Sequence, residues 1–198
     1  IFILPLVEIG RSGRAAMMPS KPHLACSAYS ISLCFQTGWR LVLSVDQSTP
    51  MTLDKEQANR LLEAMNAQER IAWGVERFGM GAVLLSSMQQ TSSVLMHMFS
   101  VMGLDNEILF VDTGYHFHET LAVRDEFIQR YKLNIVTLYP KNTPERQEQL
   151  YGVKLYQFSD GQKQCCDMRK EQPFVEAMRT RGHRLVMNGL RRSEGGKR

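Results

Sequence analysis

Four short apolar runs constrain this chain more than any other feature: "AVLLSS" (82–87), "EILFVDTG" (107–114), "NIVTLYP" (134–140) and "HRLVMNG" (183–189). Runs this short, with no polar alternation, suit parallel strands covered on both faces. The stretches between them are long enough for the crossover that parallel neighbours require. "TSSVLMHMFSVM" and "HETLAVRDEFIQRYK" read as such helices, a short helix is expected around Pro144 to Leu150, and "RKEQPFVEAMRTRG" reads as helical despite Pro173. Ahead of the first strand, Ala58, Leu61, Leu62, Met65, Ile71, Ala72, Val75 and Phe78 recur at helical spacing after Thr52 as a cap. They give one long helix or a closely joined pair, ended by "FGMG". The pattern predicts a three-layer, mostly parallel α/β sheet.

The 198 residues, 43% hydrophobic and 22% charged, suffice for one domain with a sizeable core. A formal charge of +4 over 24 basic and 20 acidic residues does not indicate a nucleic-acid-wrapping surface, although a local cluster would serve a small anion. Four irregularly spaced cysteines do not form a secreted disulfide framework, so a reducing compartment is expected. The first fifty residues differ from the rest: four basic and two acidic residues, against 20 and 18 afterwards, and no sustained helical period. Their opening "IFILPLV" is too short to span a bilayer. Residues 1–50 are therefore expected to be a leader, an extension or a misassigned upstream segment that adds nothing to the sheet, with 51–198 as the folded domain. The expected setting is cytoplasmic, or plastid if the leader is a transit segment, with no membrane and no nucleic-acid partner.

Open α/β sheets bind ligands beyond the C-terminal ends of their strands. "SSMQQTSS" after the first strand offers Ser86, Ser87, Thr91 and Ser92 at a helix start, where free N–H groups suit a phosphate or sulfate, though such residues also serve as ordinary turns and caps. It is not a Walker loop, since the glycine run and its Gly-Lys-Ser/Thr ending are absent. In "DTG", Asp112 can accept a ribose or adenine hydrogen bond and Gly114 lets the backbone turn or approach a ligand closely. His116 and His118 have no zinc signature around them and read better as loop and capping residues. "GLRRSEGGKR" brings Arg191, Arg192, Lys197 and Arg198 to the last strand's end, where paired guanidiniums can grip phosphate or sulfonate oxygens.

Cys165 and Cys166 are adjacent, beside Arg169 and Lys170, which would offset thiolate charge or reach an anionic substrate. Two thiols cannot complete a zinc site or a four-cysteine iron–sulfur cluster. Cys26 and Cys34 lie in the segment that does not look like domain. The residues alone thus point to an anion site beside half of a metal or redox site.

Taken together, "ILFVDTGYHFHETLAVRDEF", "YGVKLYQFSDGQKQCCDMRKEQPF" and "NGLRRSEGGKR" resemble the sulfonucleotide reductase family, which reduces adenylyl sulfate or 3'-phosphoadenylyl sulfate, over residues 55–198. The resemblance implies an adenine-nucleotide alpha-hydrolase-like (PP-loop, Rossmann-like) fold. It implies that Cys165 and Cys166 are two of four ligands of a 4Fe-4S cluster, a feature that goes with preference for adenylyl sulfate. Lys170 then lies between cluster and substrate, Arg191 and Arg192 belong to the substrate-binding basic set, and Ser86, Ser87, Thr91, Ser92, Asp112 and Gly114 line the nucleotide pocket. "SSMQQTSS" departs from the family's glycine-containing phosphosulfate loop.

The implied reaction is thiolate attack on the sulfonate sulfur, leaving S-sulfocysteine and AMP, after which thioredoxin or a glutathione-like thiol frees sulfite. The resemblance puts the nucleophilic cysteine and the other two ligands in a later segment, so a C-terminally incomplete domain is expected. A homo-oligomer is compatible with all of this. Two other classes compete: an adenylating ATP pyrophosphatase, which would need a glycine-serine phosphate loop and has no use for the cysteine pair, and a nonenzymatic nucleotide-binding or redox-sensing domain.

Overall fold

The computed structural model describes residues 2–5 and 55–190. Helix α1 (Lys55–Glu63) and helix α2 (Ala67–Phe78) are a joined pair. Asn66 separates them with a capping box: its Oδ1 accepts from the Glu69 N–H at 3.0 Å, and Glu69 Oε2 accepts from the Asn66 N–H at 2.7 Å. A single 3-10 turn over Gly79–Gly81 then leads into the sheet. Thr52, the expected cap, lies outside the described residues.

Strand β2 (Ala82–Ser86), helix α3 (Gln90–Val101), strand β3 (Ile108–Val111), helix α4 (His118–Tyr131) and strand β4 (Ile135–Leu138) follow in alternation. Helix α5 (Pro144–Tyr151) starts at a Thr143 cap with proline in its first turn and stops at Gly152. Helix α6 (Ser159–Cys166) runs through a π turn (Asp167–Glu171) into α7 (Gln172–Thr180), and strand β5 (Leu185–Asn188) closes the series. The helix carrying the cysteines thus begins well before Arg169, where the sequence pattern first turns helical. Pro173 lacks an N–H and its ring crowds the preceding turn, and the π turn before it widens the helix where an α turn would clash.

The sheet order is β1-β5-β2-β3-β4, where β1 is Phe2–Pro5, and β5, β2, β3 and β4 run parallel. Strand alternation divides the core into two faces. Ala82, Leu84, Ile108, Phe110, Leu185 and Met187 pack with Ile71, Leu95, Met96, Phe99 and Phe127 from α2, α3 and α4. Val83, Leu109 and Val186 pack on the opposite side with Met178 and Phe174 of α7. This is the three-layer arrangement that the apolar runs predict. No described helix is long and apolar enough to cross a membrane.

Of the first fifty residues only 2–5 are described, and against the expectation that the segment adds nothing to the sheet they form its edge strand: Phe2–Pro5 run antiparallel to β5, with Phe2 opposite Asn188 and Pro5 opposite Leu185. Strand β5 would otherwise present an open row of backbone groups, and an apolar run of four residues is long enough to pair with it. Pro5 is tolerated because an edge strand need not donate every N–H.

Candidate functional site

The parallel register sets the C-terminal ends of β5, β2 and β3 side by side. At the end of β2 the serine loop folds on itself. Ser86 Oγ accepts from the Met88 N–H at 3.1 Å, Ser92 Oγ accepts from the Ser87 N–H at 3.2 Å, and the Ser87 and Ser92 hydroxyls lie 3.1 Å apart. Two of the amides expected to face an anion are therefore satisfied within the loop. Gln89, the N-cap of α3, makes no side-chain cap bond, which leaves first-turn N–H groups for solvent or ligand. Met88 adopts φ 58°, a left-handed conformation usual for glycine, and its buried side chain in the core compensates for the strain. The loop thus makes its left-handed turn at a methionine. Thr91 sits against the end of β5: a Cβ on Gly189 would lie 3.0 Å from Thr91 Oγ1.

Beyond β3, the Asp112 N–H donates to the Leu138 carbonyl, and Asp112 Oδ1 accepts from the Gly114 N–H at 2.9 Å. Asp112 thereby builds the turn that carries it. Gly114 has φ 75°, and a Cβ there would stand 2.7 Å from Pro144 Cγ and 3.0 Å from Arg169 Nη2. His116 Nε2 lies 3.0 Å from the Val111 carbonyl, while exposed His118 pairs with Glu119 at 3.3 Å. The two imidazoles do not converge, and the described residues contain no group of three His, Cys, Asp or Glu side chains placed to hold a metal.

The turn after β3 and the cysteine helix share a cavity of about 520 Å³, lined by Thr113, Tyr115, His116, Tyr156, Gln162, Cys165, Cys166, Arg169 and Lys170. Both thiols are unpaired, Cys165 buried and Cys166 half-buried. The basic pair divides its work. Lys170 is exposed at the cavity wall, whereas Arg169 is only 2% exposed and points into the protein. Its Nε donates to the Thr113 carbonyl, and its Nη1 donates to the Asn142 carbonyl at 3.2 Å and to Gln147 Oε1 at 3.0 Å. The guanidinium also sits 5.0 Å from the Tyr115 ring centroid. Among the described residues no carboxylate pairs with it. A buried charge neutralised only by carbonyls and an amide makes the cavity floor favourable to an anion. Burial pushes the Tyr115 hydroxyl's pKa up, with Arg169 opposing, so the phenol stays a donor at neutral pH.

The geometry brings Cys165, Cys166 and Lys170 together with the Asp-Thr-Gly turn. Ser86, Ser87, Thr91, Ser92 and Asp112 share the same sheet end but are not in the cavity lining. Arg191, Arg192, Lys197 and Arg198 lie outside the described residues. Tyr115, Tyr156 and Gln147 were not singled out from the sequence. For Gln147 a signal existed: "TPERQ" fixes a helix start, but nothing local distinguishes it from the solvent-facing glutamine two residues on.

Residues 81–198 match the phosphoadenosine phosphosulfate reductase domain family. The chain belongs to that family. It is 37% identical over 139 residues to an adenosine 5'-phosphosulfate reductase of Streptomyces coelicolor, covering 70% of this chain and 56% of the relative. It is 32% identical over 140 residues to a phosphoadenosine 5'-phosphosulfate reductase of Yersinia enterocolitica, covering 71% of this chain and 57% of the relative. The chain thus spans a little over half the length of these curated relatives. A crystal structure of phosphoadenylyl-sulfate reductase from Candida auris, in complex with phosphate, superposes with a TM-score of 0.63 at 22% identity, covering 73% of this chain and 71% of that one. That likeness shows a shared α/β fold, consistent with the nucleotide alpha-hydrolase-like arrangement.

Proposed function

We propose that this chain forms the nucleotide-binding part of an enzyme that reduces adenylyl sulfate to sulfite and AMP in sulfate assimilation. The observation that carries the reading is the cavity itself. Cys165, Cys166 and Lys170 meet the Thr113–Tyr115 turn over a buried guanidinium that has no carboxylate partner among the described residues. Such a floor suits a ligand with both a nucleotide phosphate and a sulfonate.

In this reading Cys165 and Cys166 are two ligands of a 4Fe-4S cluster. The donor set fits in half: two free thiols line one cavity, and Gln147 Nε2 donates to Cys165 Sγ at 3.6 Å. The remaining ligands would come from outside the described residues. When bound, the cluster would set delocalised charge beside the sulfonate. Lys170, exposed at the wall, offsets negative charge on substrate and thiolates. Tyr115 and Tyr156, with ring centroids 4.9 Å apart, line the same space.

The attacking thiolate is assigned to a cysteine outside residues 55–190, because the described thiols serve as ligands. Its sulfur bonds to the sulfonate sulfur as the bond to the AMP phosphate oxygen breaks, and the electron pair leaves with AMP. A thiol of thioredoxin or glutathione type then attacks the cysteine sulfur, forming a disulfide and releasing sulfite with the electrons of the broken S–S bond. Basic residues offset charge on the departing phosphate.

Titration of the 198-residue chain with AMP, adenylyl sulfate and 3'-phosphoadenylyl sulfate tests the reading. Adenylyl sulfate is expected to bind tightest, with AMP competing. Equal absence of binding by all three in a folded sample rejects the pocket. A preference for the 3'-phosphorylated form transfers the assignment to that substrate, the one named for the Yersinia relative.

A further inference from the structure

Helix α5, "PERQEQLY", turns its Leu150 and Tyr151 to solvent, and Gln147 is its one buried residue, at 3% exposure. A buried amide needs partners on both its oxygen and its nitrogen. Arg169 can only donate, and its Nη1 lies 3.0 Å from Gln147 Oε1. That fixes which end of the amide is oxygen, and the other end, Nε2, then aims an N–H at Cys165 Sγ, 3.6 Å away. Arg169 is itself held by the Thr113 and Asn142 carbonyls. One continuous set of hydrogen bonds therefore runs from the turn after β3 to the sulfur.

We infer that Gln147 is a positioning residue for the Cys165 sulfur, with Arg169 setting its orientation. A neutral thiol is a poor acceptor, and a leucine or methionine would fill the same space without an amide to satisfy. An N–H aimed at sulfur is worth most when the sulfur carries negative charge, as a ligand does. The inference rests on the reading of Cys165 as a working sulfur in the proposed enzyme and adds the group that orients it. Arg169 also holds the Thr113 carbonyl, so the turn after β3 and the amide that faces the sulfur share one anchor.

The test uses the S–H stretching band of Cys165 in the metal-free 198-residue chain, assigned by its loss in Cys165→Ser. Gln147→Glu keeps the shape, gives Arg169 a carboxylate and removes the donor facing sulfur. The melting temperature of that variant should equal or exceed the parent's, while the Cys165 band moves to lower wavenumber as the thiol turns donor to the carboxylate. Gln147→Met should also displace the band, whereas Arg169→Lys, which keeps a donor for Oε1, should displace it less. The Cys166 band should stay in place throughout. An unmoved Cys165 band in Gln147→Glu overturns the inference. Failure of that variant to fold overturns it equally, since the side-chain oxygen must rest on the guanidinium. The band is read without iron, so a failure of cluster reconstitution would reject the cluster and not the hydrogen bond.

Discussion

Arg169 and Arg181 flank the same helix, α7, and their surroundings differ in kind. Arg181, past its C-terminal end, forms a two-pronged pair with Glu107, from Nε to Oε2 at 2.7 Å and from Nη2 to Oε1. His183 Nε2 reaches the same carboxylate at 3.0 Å. This cluster joins the start of β3 to the start of β5, and the neighbouring Asn106 amide donates to the Gly79 and Ala82 carbonyls, both at 2.9 Å. The N-terminal end of the sheet is thus closed by complementary charge. At the C-terminal end Arg169 is more deeply buried and has no carboxylate among the described residues, the turn after β3 needs a left-handed glycine, and Met88 is left-handed without being one. One end pairs its arginine with a carboxylate, although His183 Nδ1 is buried there without a partner, and the other holds its arginine on carbonyls and an amide alone.

The largest break in that comparison should come from Arg169→Met. The carbonyls of Thr113 and Asn142 and the oxygen of Gln147 would lose their donor together, and two loops and α5 would lose their common anchor. Each buried acceptor left alone costs about 1–3 kcal/mol, so a loss of roughly 3–5 kcal/mol is expected in urea denaturation. Nucleotide binding should vanish with it. A variant within about 1 kcal/mol of the parent that still binds AMP would show that the guanidinium is no keystone.

Gly114→Ala should follow. Its φ of 75° disfavours any side chain, by about 1–2 kcal/mol, before the close approach of Pro144 and Arg169 is counted. A total of about 2–4 kcal/mol is expected from the melting temperature, with weaker ligand binding, because the turn must shift away from α5. An alanine chain as stable as the parent would mean that the turn is not held against Pro144.

Glu107→Gln tests the closed end. The hydrogen bond from Arg181, opposed by partial burial and aided by Arg181 and His183 charge, holds the Glu107 carboxyl below its ordinary range. A depressed carboxylate pKa adds stability above the unfolded-state value, and that stability is lost as pH falls through the folded one. The parent should therefore exceed Glu107→Gln by about 1–2 kcal/mol at neutral pH, and the gap should narrow only below about pH 4.3. Binding of adenylyl sulfate should be unchanged. A gap that does not narrow at all as pH falls below about 4.3, or a binding defect, would remove the distinction between the two ends.

The strands were legible because each is a compact apolar run bounded by Gly, Asp or Pro, a signal that survives without tertiary context. Strand β1 was not, because an edge strand depends on an open partner and leaves no period of its own in four residues. The start of α6 escaped because "SDGQKQCC" buries little besides Gly161 and Cys165. Arg169 and Lys170 are indistinguishable in a basic pair. What separates them is helix geometry, since adjacent residues point about 100° apart in an α turn and the π turn changes that angle further. Gln147 was hidden for the same reason: its role depends on residues Arg169 and Cys165, distant in sequence. The cysteine pair, by contrast, was legible as chemistry before any geometry, because few structural needs place two thiols together.

The smallest effect on the fold, and the sharpest on the proposed chemistry, belongs to Lys170→Gln. The side chain is exposed at the cavity wall and no ion pair ties it to the described residues, so the melting temperature should be unchanged. It nevertheless lines, with Arg169, the cavity that the proposed function gives to the sulfonate. Loss of one partly screened cation opposite an anion should weaken adenylyl sulfate binding about tenfold at low salt, and less as added salt shortens the range of the field. AMP lacks the sulfonate and should lose less. Calorimetric titration of both ligands at two salt concentrations separates the cases. An equal loss for AMP and adenylyl sulfate would place Lys170 on the nucleotide phosphate. No loss for either would leave the anion site to the buried guanidinium alone.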